Sequence, residues 1–497
     1  LNDSTPLASE AAAPLVHSSI DPALDGFYEL PPLLHPPIDY TADATQRRVT
    51  RLSVTEGALA TAMGTLISGV FLTGFALNLG ASRFAIGILA ALPALANMAQ
   101  LLGAFWLRRY GHRKAFCVGS LAASRAIWLS ILAVPWLLDT RWESTLVWWL
   151  VGLVAISHAF SALGGVAWLS WIKDLIPEHK RLGFLGLRNQ FDTVLALALS
   201  IAGAIYLDWW AAEFPGSLNG FLTVLTVAVI CGLIGIPILR AIPDPGSIHE
   251  TMTPAASGAA SIAAHQGNFR RLVFFYAFWN LSSNLATPFF TVYLIEQLSL
   301  PFWHITGLYT LAALVGLFAN RYWTRLGNRY GTRPVVFLAT LGDALFPLWW
   351  LFLSPTSTWA LPLIFLSGAF NPPLAIGAPA LVMKTAPRHD ASLWLGMFNA
   401  IMGPVMAVAA VVGGYLASAD VSVSLAFTSV SSSGIKLVFL LSFIGRLMSL
   451  FLLTRVAEPG AMRIATIWTD GLASLRSKYG IRPSVPGAAE SLLGQEE

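Results

Sequence analysis

Apolar residues run through this chain in long blocks of about twenty, interrupted by short polar turns. A helix needs ~20 mostly apolar residues to cross ~30 Å of hydrocarbon. Twelve such blocks are legible: 52–78, 84–107, 115–138, 146–170, 190–209, 219–240, 271–295, 305–326, 335–353, 360–383, 392–417 and 434–455. They are apolar on all faces and too long for alternating barrel strands, so helices are the expected spanning form. Some polar positions inside these blocks still follow helical spacing. Thr61, Thr65 and Ser68 recur at i, i+4, i+7 in the first block, and Asn280, Asn284 and Thr287 do so in the seventh. Each trio therefore shares one helix face.

A second pattern relates the two halves. Arg109-Tyr110-Gly111-His112-Arg113 returns as Arg329-Tyr330-Gly331-Thr332-Arg333, 220 positions later. At an offset of 210, Pro177, His179, Leu185, Gly186, Asn189 and Gly203 match Pro387, His389, Leu395, Gly396, Asn399 and Gly413. One insertion around the third and fourth blocks explains both registers. The chain thus reads as two six-helix repeats with parallel topology: an N-terminal bundle at 51–240 and a C-terminal one at 271–456. Residues 241–270 are rich in Pro, Gly, Ser and Ala and read as a flexible cytoplasmic linker.

Composition agrees. Of 497 residues, 56% are hydrophobic and 11% charged; a soluble chain carries about 25% charged residues. Residues 1–46 hold no Lys or Arg, seven acidic residues and seven prolines. They predict a disordered acidic tail over about 1–50, with no signal-peptide pattern. At 457–497 a second tail is expected, with an amphipathic helix at 461–479 lying on the inner leaflet. Cys117 and Cys231 both fall in apolar runs, which argues against a disulfide framework or a metal site.

The basic residues set orientation. Thirteen Lys and Arg occupy the even-numbered turns, among them Arg108, Arg109, Arg113, Lys173, Arg188, Arg329, Arg333 and Lys384, while the opposite side offers Arg83 and Arg141. That bias puts both termini in the cytoplasm, of a plasma membrane in this reading. It also excludes nucleic acid as a partner, because the charge is divided among short turns rather than gathered in a patch.

The paired halves, the basic R-Y-G-x-R turns after the second and eighth blocks, the central linker, and Asp174-Leu175-Ile176-Pro177 continuing to Arg181, Gly186, Arg188 and Asn189 resemble the major facilitator superfamily over about residues 50–456. The resemblance implies an all-α integral membrane fold of twelve transmembrane helices in two pseudo-symmetric bundles. It also implies a cavity lined by the first, fourth, seventh and tenth helices, and a cytoplasmic gate at Arg109, Gly111, Arg113, Arg329, Gly331 and Arg333. There are departures. The acidic residue that the family places before the Arg is Arg108 in one turn and Asn328 in the other, so closure by that acid is not expected. The antiporter pattern of the fifth helix is absent from 190–209, and a similar run, Gly403-Pro404 with Gly413-Gly414, sits in the eleventh block.

Polar groups in lipid mark cavities or internal partners. The candidates for a substrate cavity are Thr61, Thr65, Ser68, His158, Asn280, Asn284, Thr287 and Asn371; Asn97, Gln100, Tyr276 and Trp279 are weaker ones. His158 titrates near neutrality and is suited to bind substrate or relay a proton. The Asn371-Pro372-Pro373 run removes backbone donors and predicts a kink. Glu56, Arg125, Asp192, Asp343 and Arg446 are expected to be buried charges, paired structurally or coupled to proton movement; Asp343 with Arg446 reads most simply as an ion pair inside the second bundle. No P-loop, zinc motif or nucleophile triad is present. The chain is therefore expected to be no enzyme and to need no cofactor. The reading is a monomeric secondary transporter of a neutral or amphiphilic small molecule, driven most simply by protons. A transporter-like assembly factor or sensor, and a lipid flippase, are the alternatives.

Overall fold

A computed structural model describes residues 43–137, 143–244, 258–385, 391–419, 434–458 and 460–462. Every regular element among them is helical: α1 (Asp43–Leu66), α2 (Gly69–Asn78), α3 (Arg83–Ala96), α4 (Ala99–Tyr110), α5 (Arg113–Leu137), α6 (Glu143–Leu175), α7 (Glu178–Glu213), α8 (Asn219–Ala241), α9 (Gly258–Val292), α10 (Phe302–Tyr330), α11 (Thr332–Phe352), α12 (Leu361–Phe365), α13 (Asn371–Thr385), α14 (Ala391–Ser418) and α15 (Gly434–Thr454). Ten helical stretches among the described residues are long and apolar enough to cross a membrane. The second and seventh of the twelve expected places are filled by α3–α4 and by α9, so the twelve-helix arrangement is complete.

Several blocks differ from simple rods, each for a local reason. The first breaks at Ser68-Gly69, where Gly69 takes φ +56°, a conformation that costs a residue without Cβ nothing. The second breaks after Ala96, three residues past Pro93, which can donate no helical hydrogen bond. The tenth passes through 3-10 turns at Pro355–Ala360 and Leu366–Phe370 before α13 restarts at Asn371. Pro372 and Pro373 thus fall in the first turn of α13, where missing N–H groups cost nothing. The break expected there is present, on the N-terminal side of the prolines. α7 begins at Glu178, twelve residues before the expected start of the fifth block. α9 begins at Gly258 and so runs into the stretch expected to be linker. The acidic segment 1–42, linker residues 245–257 and nearly all of the expected amphipathic segment lie outside the described residues.

The apolar cores show how the halves meet. Call the side carrying the two R-Y-G-x-R turns the turn side and its opposite the far side. Toward the far side one continuous cluster joins both halves: Phe71, Phe75, Ile86 and Leu89 from the first, Leu285, Phe289, Phe290 and Phe439 from the second. Toward the turn side each half has its own. Val49, Trp171, Ile172 and Leu239 form one cluster; Phe269, Tyr276, Trp394 and Leu453 form the other. The halves are joined at the far side and parted at the turn side.

The joint is made of small residues and backbone. α3 packs along α14 through buried Ala91, Ala94, Ala407 and Ala410. A Cβ on Gly87 would lie 2.6 Å from the Ala410 carbonyl oxygen and 2.8 Å from the Gly414 Cα. Lipid tails are as apolar as Leu, so helices in a membrane gain little from burying apolar area against each other and much from close approach.

Candidate functional site

A cavity of about 570 Å³ lies between the halves, roughly midway along the helices. Thr65 and Ser68 face it from α1 and its break, His158 from α6, and Asn284 and Thr287 from α9. The two stripes read from the sequence therefore meet across one space. Two of their members do not. Thr61 is not among the lining residues. Asn280 is buried one turn away along α9, where its Nδ2 donates to the Tyr276 carbonyl (2.8 Å) and contacts the Met402 sulfur at 3.6 Å. Asn371 is exposed and outside the cavity. The tenth span contributes nothing to it, because α13 sits behind α10, packed on α10 and α11. α10 takes that place with Thr306, Tyr309 and Thr310, and Thr291 and Ser200 add two more hydroxyls. None of these five was singled out by the sequence. Thr306 and Tyr309 do lie i, i+3 on one face of the eighth block, which is the signal that would have found them.

Three hydroxyl protons here are committed to backbone carbonyls. Ser68 donates to the Gly64 carbonyl (2.6 Å), Thr287 to Ser283 (2.8 Å), and Thr306 to Phe302 (2.9 Å). Asn284 donates through Nδ2 to the Asn280 carbonyl at 2.9 Å. The three hydroxyls have oxygen lone pairs left for the cavity, and Asn284 keeps a second Nδ2 proton. Thr291 and Tyr309 share a hydrogen bond of 2.9 Å across α9 and α10. The His158 ring makes no hydrogen bond with a described residue.

A second cavity of about 320 Å³ adjoins the first inside the N-terminal half, and Ser68 and His158 line both. It holds the buried charges of that half. Arg125 donates to Glu56 Oε1 (2.7 Å) and to the Gly232 carbonyl (2.7 Å). Arg188 lines the same space from α7, its guanidinium 4.1 Å from the centre of the Trp168 ring. It approaches Glu56 Oε2 at 3.6 Å and Asp192 Oδ2 at 3.5 Å. The sequence placed Arg188 in a turn; the early start of α7 puts it ten residues into a helix, with 16% of its side chain exposed. In the other half, Arg446 Nη1 donates to Asp343 Oδ2 (2.9 Å) and to the Asp343 carbonyl (3.0 Å). That pair lies away from both cavities, as a structural pair would.

The far side is fastened by charge. The Asp208 carboxylate at the end of α7 accepts the first two N–H groups of α10, Phe302 N (2.7 Å) and Trp303 N (2.6 Å). It caps a helix of the opposite half. Arg83 pairs with Glu296 (2.9 Å) and donates to the Ala417 carbonyl (3.1 Å). Glu296 lies in the π-helical turn Tyr293–Gln297 that ends α9.

Among the described residues, Lys114 and Glu458 at the turn side make their contacts within their own halves. Gly111 takes φ +67° and Gly331 φ +100°, which explains the glycine in each R-Y-G-x-R turn. Arg109 is exposed, Arg113 half-buried, and the Arg329 guanidinium lies 5.1 Å from the Tyr330 ring centre. Lys114 sits 5.9 Å from the Trp171 ring centre. Glu458 accepts from the Thr332 (3.1 Å) and Arg333 (2.6 Å) backbone N–H groups and from Lys384. Arg333 also donates to the Thr454 carbonyl at 2.9 Å. The acid missing beside the second turn is thus replaced by one from beyond the last span. Burial works to raise the Glu458 carboxyl, but hydrogen bonds from Lys384, Arg333 and Thr332 outweigh it and hold the group below the usual carboxylate range.

The profile of the Major Facilitator Superfamily matches residues 57–326, more than half of the chain. The chain belongs to the major facilitator superfamily. It is a multi-pass membrane transporter and not an enzyme. Solved structures share its fold at low identity. A point mutant of the nucleoside transporter NupG aligns with TM-score 0.62 at 12% identity, over 83% of this chain and 100% of that one. A D-xylose–proton symporter gives 0.62 at 14%, over 84% and 100%. A bacterial homologue of the iron transporter ferroportin, in its inward-facing state, gives 0.61 at 13%, over 82% and 98%. No curated protein sequence matches the chain.

Proposed function

We propose that this protein moves a small organic molecule across the plasma membrane by alternating access, coupled to protons, with both termini in the cytoplasm. The observation that carries the reading is the asymmetry of the cores: one shared cluster at the far side, separate clusters at the turn side, and a cavity lined from both halves between them. In that orientation the structure is an inward-facing state. Rocking the halves about the α3–α14 joint would part the far side and close the turn side. A single chain supplies both walls of the cavity, which supports a monomer as the working unit. Glu56 and His158 border the adjoining polar space, with Asp192 beside Arg188, and a D-xylose–proton symporter shares the fold; both support proton coupling.

The test is flux in proteoliposomes under an imposed proton gradient, across neutral and amphiphilic solutes chosen by thermal-shift screening, since a ligand stabilises by RT ln(1 + [L]/Kd). Uptake accompanied by dye-reported proton entry, and reduced at least tenfold by Asn284→Ala or His158→Ala, is the expected result. Solutes that bind but never move, under any gradient, would overturn it.

A further inference from the structure

Arg188 is a cavity-lining cation whose chemistry the reading above leaves unused. A guanidinium carries five N–H donors. Among the described residues none accepts a hydrogen bond from it: its two ion pairs stand at 3.5 and 3.6 Å, and Nη1 is buried without a partner. Buried donors are almost always paired, so an exception asks for a reason. Arg125, only one contact away through Glu56, donates to Glu56 and to the Gly232 carbonyl and has no orphaned buried nitrogen. The placement of Arg188 is also built. Its central carbon lies 4.1 Å over the centre of the Trp168 ring, and a Cβ on Gly57 would come within 2.6 Å of its Nε. The glycine leaves the room that the guanidinium occupies.

We propose that Arg188 is the anchor for the anionic end of the substrate, and that the substrate is a small amphiphilic monocarboxylic acid. The proposal rests on the transport reading and narrows it. A carboxylate offers two oxygens at the spacing of a guanidinium edge. The charges around it, Glu56 and Asp192 against Arg125 and Arg188, cancel. A monoanion adds one charge to a neutral enclosure; a dianion such as phosphate adds two beside two carboxylates. The central cavity is the poorer place for the charged end, because no Lys or Arg among the described residues lines it and Ser68, Thr287 and Thr306 donate to carbonyls of their own helices. It suits the body, which is apolar or carries hydroxyl donors, at a size its 570 Å³ can hold. Ser68 and His158 border both spaces, so head and body occupy one continuous site.

The test compares acids with their amides, which match in shape and lack the charge. Purified full-length protein is titrated with benzoate, octanoate, benzamide and octanamide near neutral pH, reading melting temperature and tryptophan fluorescence. One or both acids are expected to half-saturate at a concentration at least tenfold below that of the amide. In Arg188→Gln the acid should lose that advantage. Arg188→Lys, which keeps the charge and loses the forked geometry, should retain part of it. Gly57→Ala, which displaces the guanidinium, should behave like Arg188→Gln. Amides binding as well as acids, no response to either acid, or an unchanged advantage in both Arg188 variants would each overturn the proposal. Flux separates the two readings. Transport of neutral solutes with no preference for acids sinks the anchor and leaves the transporter standing. Arg188-dependent binding of acids without flux does the reverse.

Discussion

Asp208→Ala removes the cap that one half places on a helix of the other. The carboxylate holds two N–H groups of α10, at 2.7 and 2.6 Å, only while the far side is closed. An N-cap contributes about 1 kcal/mol, and a negative charge at a helix N-terminus roughly another 0.3–1 kcal/mol. When the far side opens, both partners pass into water and the contribution vanishes. The closed state therefore loses about 1.3–2 kcal/mol relative to the open one, or roughly a 10- to 30-fold shift in their ratio. The Arg83–Glu296 pair is about a quarter exposed at each end, so its share is smaller, about 0–1 kcal/mol. Spin labels at Glu213 and Gln297, in a background lacking Cys117 and Cys231, report the distance between the far ends of α7 and α9. In Asp208→Ala the distribution should gain a longer component at the expense of the short one. Asp208→Asn, which keeps an acceptor and loses the charge, should shift it less. A distribution in Asp208→Ala that superimposes on the unmodified protein would refute the reasoning.

Other outcomes follow from the same geometry. Asp343→Ala or Arg446→Ala strands a buried charge and should cost about 3–5 kcal/mol of thermal stability, whereas Asp343→Leu with Arg446→Met should be near neutral or stabilising; equal losses in single and double variants, in detergent melts, would contradict a structural pair. Gly87→Ala places a methyl against the Ala410 carbonyl and the Gly414 backbone. It should weaken the far-side joint by about 1–3 kcal/mol, read as a longer distance between the same two labels. The Glu458 carboxyl is depressed, so its stabilising contribution is present above the ordinary carboxylate range and lost as pH falls through its folded value. The melting-temperature gap between the unmodified protein and Glu458→Gln should accordingly shrink from pH 7 to about pH 3, and a constant gap would count against the cap.

Much of the architecture was legible because lipid writes it into sequence: twelve apolar blocks, a duplicated turn, and polar stripes where apolar residues would be cheaper. Thr65 and Ser68 met Asn284 and Thr287 because the duplication fixed equivalent faces on symmetry-related helices. Asn280 keeps the stripe's face but sits one turn nearer the turn side than Asn284, and there α14 covers it through Met402. Asp208 was passed over because a carboxylate beside Trp209 and Trp210 reads as a solvated span end; only the arrival of α10, 94 positions away, makes it a cap. Arg188 was counted with the turn cations because hydropathy falls before residue 190, although nothing from Glu178 onward breaks a helix. The eighth span took the place expected of the tenth for a reason no local pattern carries, the stacking of α13 behind α10.

The α3–α14 joint has a consequence for how movement is paced. Its buried facing residues are glycines and alanines, with no rotamers to freeze, and Met406 and Val411 are only partly buried against them. Such a surface behaves as a smooth bearing: the two halves can pivot across it without losing or regaining side-chain entropy, and the barrier it raises is low and even. What holds the molecule in one posture is then concentrated at the rim, in two polar catches on the ends of α7 and α3. Friction and latch are separate parts, so sequence changes at Asp208 or Arg83 reset how long a posture lasts, while changes along the bearing decide whether it can turn at all.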